Sequence, residues 1–325
     1  MKNFLKCSIV IFAGLILLTL SPGELRAECR FWAAVSKDKL PQEATLDHLL
    51  RSPNSLKVLA KFIKDGWGIG YYTNNQLLLL KGIPSADKDK NYDKAVKGVA
   101  SLEPKIIVAH IRKAVSGCRG NVVNPHPFQR DRGGKHWLFG HNGSFLGKQN
   151  LIDLIGSQYL KENSPTTCTY NPPDSWVTSE LYFIFLLKHI EENGWDVEKG
   201  IKEAIFDLEA KVHSGLAGFN FFLTDGETIW AFRKGRPLYS YYQTSPQYSA
   251  VASQFPYADK GEWEEVPENS LVIMKPGIPI VLESISVPVD SSKNISVPTE
   301  QNVAEHDGED KLDAKNCGAE NCSGQ

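Results

Sequence analysis

Four segments of the 325-residue sequence concentrate side chains that a buried core does not select. The first is Cys29-Arg30-Phe31-Trp32. A cysteine at the start of a processed chain carries a thiol and an α-amino group on one residue. That amine has a reference pKa of about 7.7–8.0, so near neutrality part of it can accept the thiol proton, directly or through water. Such a nucleophile is activated without a histidine; taken alone, the segment reads first as a structural cysteine near a cleavage point. The second segment, His110-Ile111-Arg112-Lys113, ends a run of four apolar residues. An arginine fork there suits a carboxylate, the competing role being a surface ion pair. The third, Asn124-Pro125-His126-Pro127-Phe128, is a polar loop whose path two prolines fix, and it assigns His126 a positional role, not an acid–base one. The fourth, Gly140-His141-Asn142-Gly143-Ser144, offers an amide side chain at Asn142 and an approachable backbone N–H at Gly143. Two donors aimed at one point make an oxyanion hole, and Asn-Gly is also an ordinary turn pair.

The elements that must carry these segments can be read from periodicity. Lys105–Arg112, Trp137–His141 and Gly218–Thr224 are rich in β-branched and aromatic residues and predict strands. Thr224-Asp225-Gly226-Glu227 predicts a hairpin into Thr228–Arg233, and Leu271–Lys275 with Ile280–Glu283 predicts a second across Pro276-Gly277. Helical spacing is clearest in Ser179–Glu192 and Val197–Val212, separated by the helix stop Asn193-Gly194, and a further helix is predicted over Ser55–Lys64. Strands that come as hairpins, with helices in separate pairs, predict antiparallel sheets covered by helices, not a parallel wind.

Composition bounds the rest. The chain is 42% hydrophobic and 23% charged with a formal net charge of −2, which gives no basic footprint for nucleic acid. Lys2 and Lys6 precede an apolar run from Cys7 to Leu20, then Ser21-Pro22-Gly23 breaks any helix and Leu25-Arg26-Ala27 follows. This pattern predicts a signal peptide over residues 1–27, removed on export to a periplasmic or extracellular compartment, with no stable membrane span after cleavage. Glu28, large and charged, argues against lipidation of Cys29. Loss of the leader leaves five of six cysteines, an odd number in an oxidising compartment, which flags one free thiol. Cys118 and Cys168, in polar loop-like segments, are expected to pair with each other. Residues 286–325 contain eight acidic side chains, three lysines and no aromatic residue, and are expected to form a disordered acidic tail.

Taken together, and in this order, Cys29-Arg30, Gly66-Trp67-Gly68-Ile69-Gly70, Ala109-His110-Ile111-Arg112-Lys113-Ala114, Asn124-x-His126-Pro127-Phe128, Gly140-His141-Asn142-Gly143, Thr178-Ser179-Glu180 and Val251-Ala252-Ser253 resemble the class II glutamine amidotransferases, in particular the small stand-alone members. The resemblance spans a domain over about 29–285. It implies an α+β, four-layer αββα N-terminal-nucleophile hydrolase fold with Cys29 opening an inner strand. It further implies that Cys29 attacks a side-chain amide with its own α-amine as base, through a thioester. Arg112 would hold the substrate α-carboxylate, and Asn142 and Gly143 would stabilise the oxyanion. His126 and Thr178 would line the substrate site. No cofactor and no metal are called for, and the expected partner is a small-molecule amide; no motif bears on oligomeric state.

Two departures from the family pattern matter. Glu28 precedes Cys29, so cleavage after Ala27 would leave the amine blocked, and a second trimming step, cleavage at Glu28 itself or self-cleavage is needed. Thr178 stands where the family has an aspartate that meets the substrate α-ammonium, and its neutral hydroxyl predicts weaker binding of free glutamine than in relatives. The expected activity is hydrolysis of glutamine or a γ-glutamyl-like amide. The alternatives are an acylase acting on N-acyl amides or lactams, and a non-catalytic binding module of the same fold.

Overall fold

The computed structural model describes residues 28–73, 76–114, 124–143, 147–211, 218–256 and 263–286. The expected leader, Cys118 and the expected acidic tail lie outside the described residues. In chain order the elements are β1 (Arg30–Ser36), α1 (Gln42–Leu46), a π-helical turn (Asp47–Arg51), α2 (Leu56–Leu59), β2 (Trp67–Thr73), β3 (Gln76–Gly82), α3 (Lys90–Leu102), β4 (Ile106–Ile111), β5 (Phe128–Arg132) and β6 (Lys135–Gly143). They continue as α4 (Lys148–Ile155), α5 (Ser157–Glu162), α6 (Thr178–Glu192), α7 (Val197–Lys211), β7 (Phe219–Thr224), β8 (Ile229–Arg233), β9 (Tyr239–Thr244), β10 (Gln247–Ala252), β11 (Glu264–Glu265), β12 (Ser270–Met274) and β13 (Val281–Ser284).

Among the described residues the strands form two sheets, ordered β11-β9-β10-β1-β4-β2-β3 and β13-β12-β8-β7-β6-β5, with every pairing antiparallel. Alternation along β1 explains how they stack. Phe31, Ala33 and Val35 point to the layer between the sheets, where they meet Leu138, Phe222, Ala231 and Met274. Trp32 and Ala34 point the other way, onto a core shared with Leu49, Leu56, Tyr92 and Val96 from the first helices. The outer face of the second sheet, with Trp137, Phe139 and Phe221, packs on Leu181, Phe185, Ile201 and Ile205 of α6 and α7. The result is the four-layer αββα arrangement of an N-terminal-nucleophile fold. Each fully buried aromatic in these layers contributes about 1.5–3 kcal/mol through removal of apolar area from water.

The predicted strands and both hairpins form within a residue or two of their expected bounds, as do α6 and α7. Asn193 caps α6, and the two positive-φ residues that follow, Gly194 and Trp195, turn the chain into α7. The helix expected over Ser55–Lys64 is only Leu56–Leu59. Ser55 does cap it, accepting from Val58 N–H at 3.4 Å. The chain then leaves the helical path because Asp65 is claimed by the segment after β4: its N–H donates to Arg112 O at 3.0 Å, and its carboxylate accepts from Ala114 N–H at 2.7 Å. Tertiary pairing overrides local propensity here. No helix among the described residues is long and apolar enough to cross a membrane.

Candidate active site

The end of the molecule where β1 begins and β4 and β6 finish collects the polar segments singled out above. β1 is an inner strand, flanked by β10 and β4. The pairing Arg30↔Ile111 sets Cys29 beside the last residues of β4. Cys29 is buried and a free thiol. Its Sγ lies between the main-chain groups of Lys113, receiving the N–H at 3.3 Å and facing the carbonyl at 3.5 Å. Ser253 fixes the start of β1 from the opposite neighbour. Its Oγ accepts from Phe31 N–H at 2.9 Å and its own N–H donates to Phe31 O at 3.1 Å. Burial pushes the Cys29 thiol above its ordinary pKa, offset in part by the Lys113 N–H and the Arg112 and Arg30 charges. A thiol held in its protonated form needs a base at the moment of attack.

Arg112 is buried immediately after β4, with its N–H donating to Gly66 O at 2.9 Å. Asn142 and Gly143 close β6, and His110 ties that strand to β4: its Nε2 is 3.2 Å from His141 O. Asn142 is 1% exposed, and its Oδ1 has no hydrogen-bond partner among the described residues. Native structures leave few buried polar atoms unsatisfied, so an orphan at this position is a functional signal. His126, joined to Pro127 by a cis peptide bond, packs against His110 with ring centroids 4.3 Å apart and the planes tilted by 40°. Both His126 ring nitrogens lack hydrogen-bond partners among the described residues. The loop carrying His126 comes this close because β2 is glycine-rich. A Cβ on Gly68 would lie 2.3 Å from His126 O, and one on Gly66 would lie 2.6 Å from the Pro125 ring.

Thr178 is the half-buried first residue of α6, and the cap position falls on Val177, which makes no side-chain cap bond. Thr178 thus lies within the first turn of the helix and does not cap it. Ser179 Oγ pairs with His141 Nδ1 at 2.9 Å, which brings this helix end to the strand end bearing Asn142. Cys29, Arg112, His126, Asn142, Gly143 and Thr178 thus converge on one end of the two sheets. Asp174, the nearest upstream carboxylate, is exposed.

The expected pairing of Cys118 with Cys168 cannot be traced to Cys118, which lies outside the described residues. Cys168 is nevertheless disulfide-bonded, while Cys29 is not.

Sequence reasoning gave no role to two anchors. Glu180 is 1% exposed and accepts from Thr166 N–H at 2.7 Å, Thr167 N–H at 2.9 Å and Arg130 at 3.0 Å, so it binds the loop before α6 to β5. Lys81, on β3, lies over the Phe128 ring at 5.6 Å, and burial lowers its pKa to about 8 against the pull of Glu180. The Thr178-Ser179-Glu180 motif flagged the first, but its ligands sit in a loop with no pattern of its own; nothing in the local sequence flags Lys81. Among the described residues no group of three or more His, Cys, Asp or Glu side chains is arranged to hold a metal ion.

The histidines at this end are held neutral. Burial lowers His110 to about 3 and His141 to about 4, and drives His126 well below 6.5. A folded pKa below the unfolded one gives stability that is fully present above the unfolded value and is lost as pH falls toward the folded value. The window runs from about 6.5 down to these values. Each histidine should cost on the order of 1 kcal/mol of unfolding free energy between about pH 7.5 and pH 5.5. Denaturant titrations at the two pH values should show this drop, and His110→Gln should shrink it by about one histidine's share even where it lowers stability at both. A drop that His110→Gln leaves unchanged would remove His110 from this account.

Comparison with known proteins bears on the family and the fold. A family model described as glutamine amidotransferases class-II matches residues 50–252, more than half of the chain, beginning after Cys29. A Haemophilus influenzae protein provisionally named as a glutamine amidotransferase is 28% identical over 251 residues, which cover 70% of this chain and 76% of that one. An uncharacterized protein of Methanocaldococcus jannaschii is 28% identical over 202 residues, 62% of this chain; the chain spans about half of that relative, 52% of its length. Among solved structures, a glutamine aminotransferase class-II domain protein from Silicibacter pomeroyi superposes with a TM-score of 0.53 at 18% identity, covering 79% of this chain and 99% of that one. Glutamine phosphoribosylpyrophosphate amidotransferase from B. subtilis gives a TM-score of 0.54 at 16% identity, over 80% of this chain and 50% of that one. At such identities the structural likeness carries the fold alone.

Proposed function

Because the chain belongs to the class II glutamine amidotransferases, we propose that it is an exported, cysteine-dependent amide hydrolase acting on glutamine or a γ-glutamyl-like amide. The observation that carries this reading is the free Cys29 thiol at the head of an inner strand, clamped at Lys113 and converging with Arg112 and the buried Asn142. In the mature chain the Cys29 α-amine takes the thiol proton and Sγ bonds to the amide carbon. Asn142 Nδ2–H and Gly143 N–H receive the charge that develops on the carbonyl oxygen. Collapse breaks the C–N bond, and the leaving nitrogen departs with the proton held by the α-amine. Water then attacks the thioester, giving the carboxylate and restoring the thiol. Arg112 holds the substrate α-carboxylate by a charge-assisted fork, so Arg112→Ala raises KM for substrates bearing that group. His126 is a positional residue: an imidazole driven this far toward neutrality by burial is a poor proton acceptor near neutral pH. The charged start, short apolar run and break of residues 1–27 support export, and removal of Glu28 completes maturation.

Thr178 sets the substrate. A neutral hydroxyl replaces a charge-assisted contact worth about 1.5–3 kcal/mol, so free glutamine binds roughly ten- to hundredfold more weakly than with a carboxylate there. An amide whose α-nitrogen is acylated loses nothing at this position, and for that reason the acylase reading stays as the second one. Both are tested by comparing glutamine with N-acyl-glutamine on wild type and Thr178→Asp. Glutamine turnover should improve about tenfold in Thr178→Asp while the N-acyl substrate suffers. Strong wild-type glutaminase activity that Thr178→Asp leaves untouched would defeat the specificity assignment.

A further inference from the structure

Glu28 does more in the fold than precede the nucleophile. Its carboxylate lies 2.8 Å from Arg236 and 3.9 Å from Arg30, and all three side chains are largely withdrawn from solvent, at 22%, 21% and 14% exposure. Arg30 also donates to Cys29 O at 2.9 Å. Arg236 arrives from the connection between β8 and β9, and its placement is built. Asn220, the register partner of Asn142 on β7, donates to Arg236 O at 2.9 Å and to Pro237 O at 3.3 Å. Gly218 leaves space for the arginine stem, since a Cβ there would stand 2.9 Å from Arg236 Cγ. Arg236 Nε is buried and has no hydrogen-bond partner among the described residues. Removal of Glu28 leaves two guanidinium groups facing each other around the space it vacated, which favours an anion there.

That space has a chemical address. Glu28 is bonded to the Cys29 nitrogen, so its side chain occupies the region just beyond that atom. The α-amine must come within about 2.6–3.2 Å of the nitrogen that leaves, so the region beyond it is also where the leaving amine lies. We propose that Arg30 and Arg236 form a second anion subsite on the leaving-group side of Cys29, filled by the Glu28 carboxylate in the precursor and by a carboxylate on the substrate's leaving amine in the mature enzyme. This rests on the amide-hydrolase reading and sharpens it. The substrate class is a γ-glutamyl amide of an amino acid or peptide, with Arg112 taking the α-carboxylate at one end and the arginine pair taking the carboxylate at the other. Glutamine, which releases ammonia, leaves this subsite unused.

The test uses full-length mature chain beginning at Cys29, verified by mass, with γ-glutamylglycine and γ-glutamylmethylamide as substrates. The first has a carboxylate on the leaving amine and the second has none. Wild type should favour γ-glutamylglycine in kcat/KM by at least about tenfold, and Arg236→Gln should reduce that preference roughly ten- to hundredfold. Arg236→Lys, which keeps the charge, should restore part of it and guards against a variant that merely folds poorly. A preference near one in wild type, or one that Arg236→Gln does not move while γ-glutamylmethylamide is still cleaved, overturns the subsite and leaves the hydrolase reading standing. Failure of wild type to cleave either amide overturns both.

Discussion

Replacing Cys29 with serine should reduce turnover of every accepted amide by on the order of 10³-fold or more, because a hydroxyl is a far weaker nucleophile than a thiol with an adjacent base. The fold should survive. The substituted atom is nearly isosteric, and the Lys113 N–H and carbonyl that now flank Sγ at 3.3 and 3.5 Å are a donor and an acceptor that a hydroxyl also satisfies. A thermal melt within a few degrees of wild type, alongside loss of product formation, is the expected pair of results. Retention of more than about a tenth of wild-type kcat would take the nucleophile's role away from Cys29.

Asn142→Ala should lower kcat by roughly 10²–10³, with a smaller change in KM, because in the proposed mechanism the amide meets charge that exists only in the transition state. The same substitution should cost little stability. Asn142 Oδ1 makes no hydrogen bond among the described residues, so truncation strands no partner on that side of the amide. A purely structural asparagine gives the reverse pattern, a lowered Tm with kcat preserved in the fraction that folds. Kinetics and melting on one preparation separate the two. Normal turnover by Asn142→Ala would return Gly140–Gly143 to an ordinary strand end.

The sequence made some of this architecture legible and hid the rest for physical reasons. α6 and α7 carry sustained helical spacing and an Asn-Gly stop, so local signals and tertiary packing agree. β2 and β3 were not readable as strands from local pattern. Gly66, Gly68 and Gly70 dilute the strand signal of β2, yet Gly68 and Gly70 are there because His126 O and a Leu138 methyl would each lie 2.3 Å from an added Cβ. Their absence of side chains is a long-range requirement. Cys29, Arg112 and Asn142-Gly143 could be singled out because chemistry and order coincide in short motifs, and the fold brings them to one end of the sheets. Glu180 was named but not understood, because its partners Arg130, Thr166 and Thr167 come from another strand and an irregular loop. The Arg236–Glu28 pair joins residues more than 200 positions apart, and no periodicity or spacing announces it.

The central claim is that Cys29 acts with its own free α-amine. It is tested most directly by preparing two forms of the chain, one beginning at Cys29 and one retaining Glu28, and following each by intact mass during turnover of a γ-glutamyl amide. The account predicts that the form beginning at Cys29 gains the mass of one acyl group on rapid acid quench and releases product, while the Glu28 form does neither. A Glu28-bearing chain that acylates and turns over as fast as the trimmed one would contradict it.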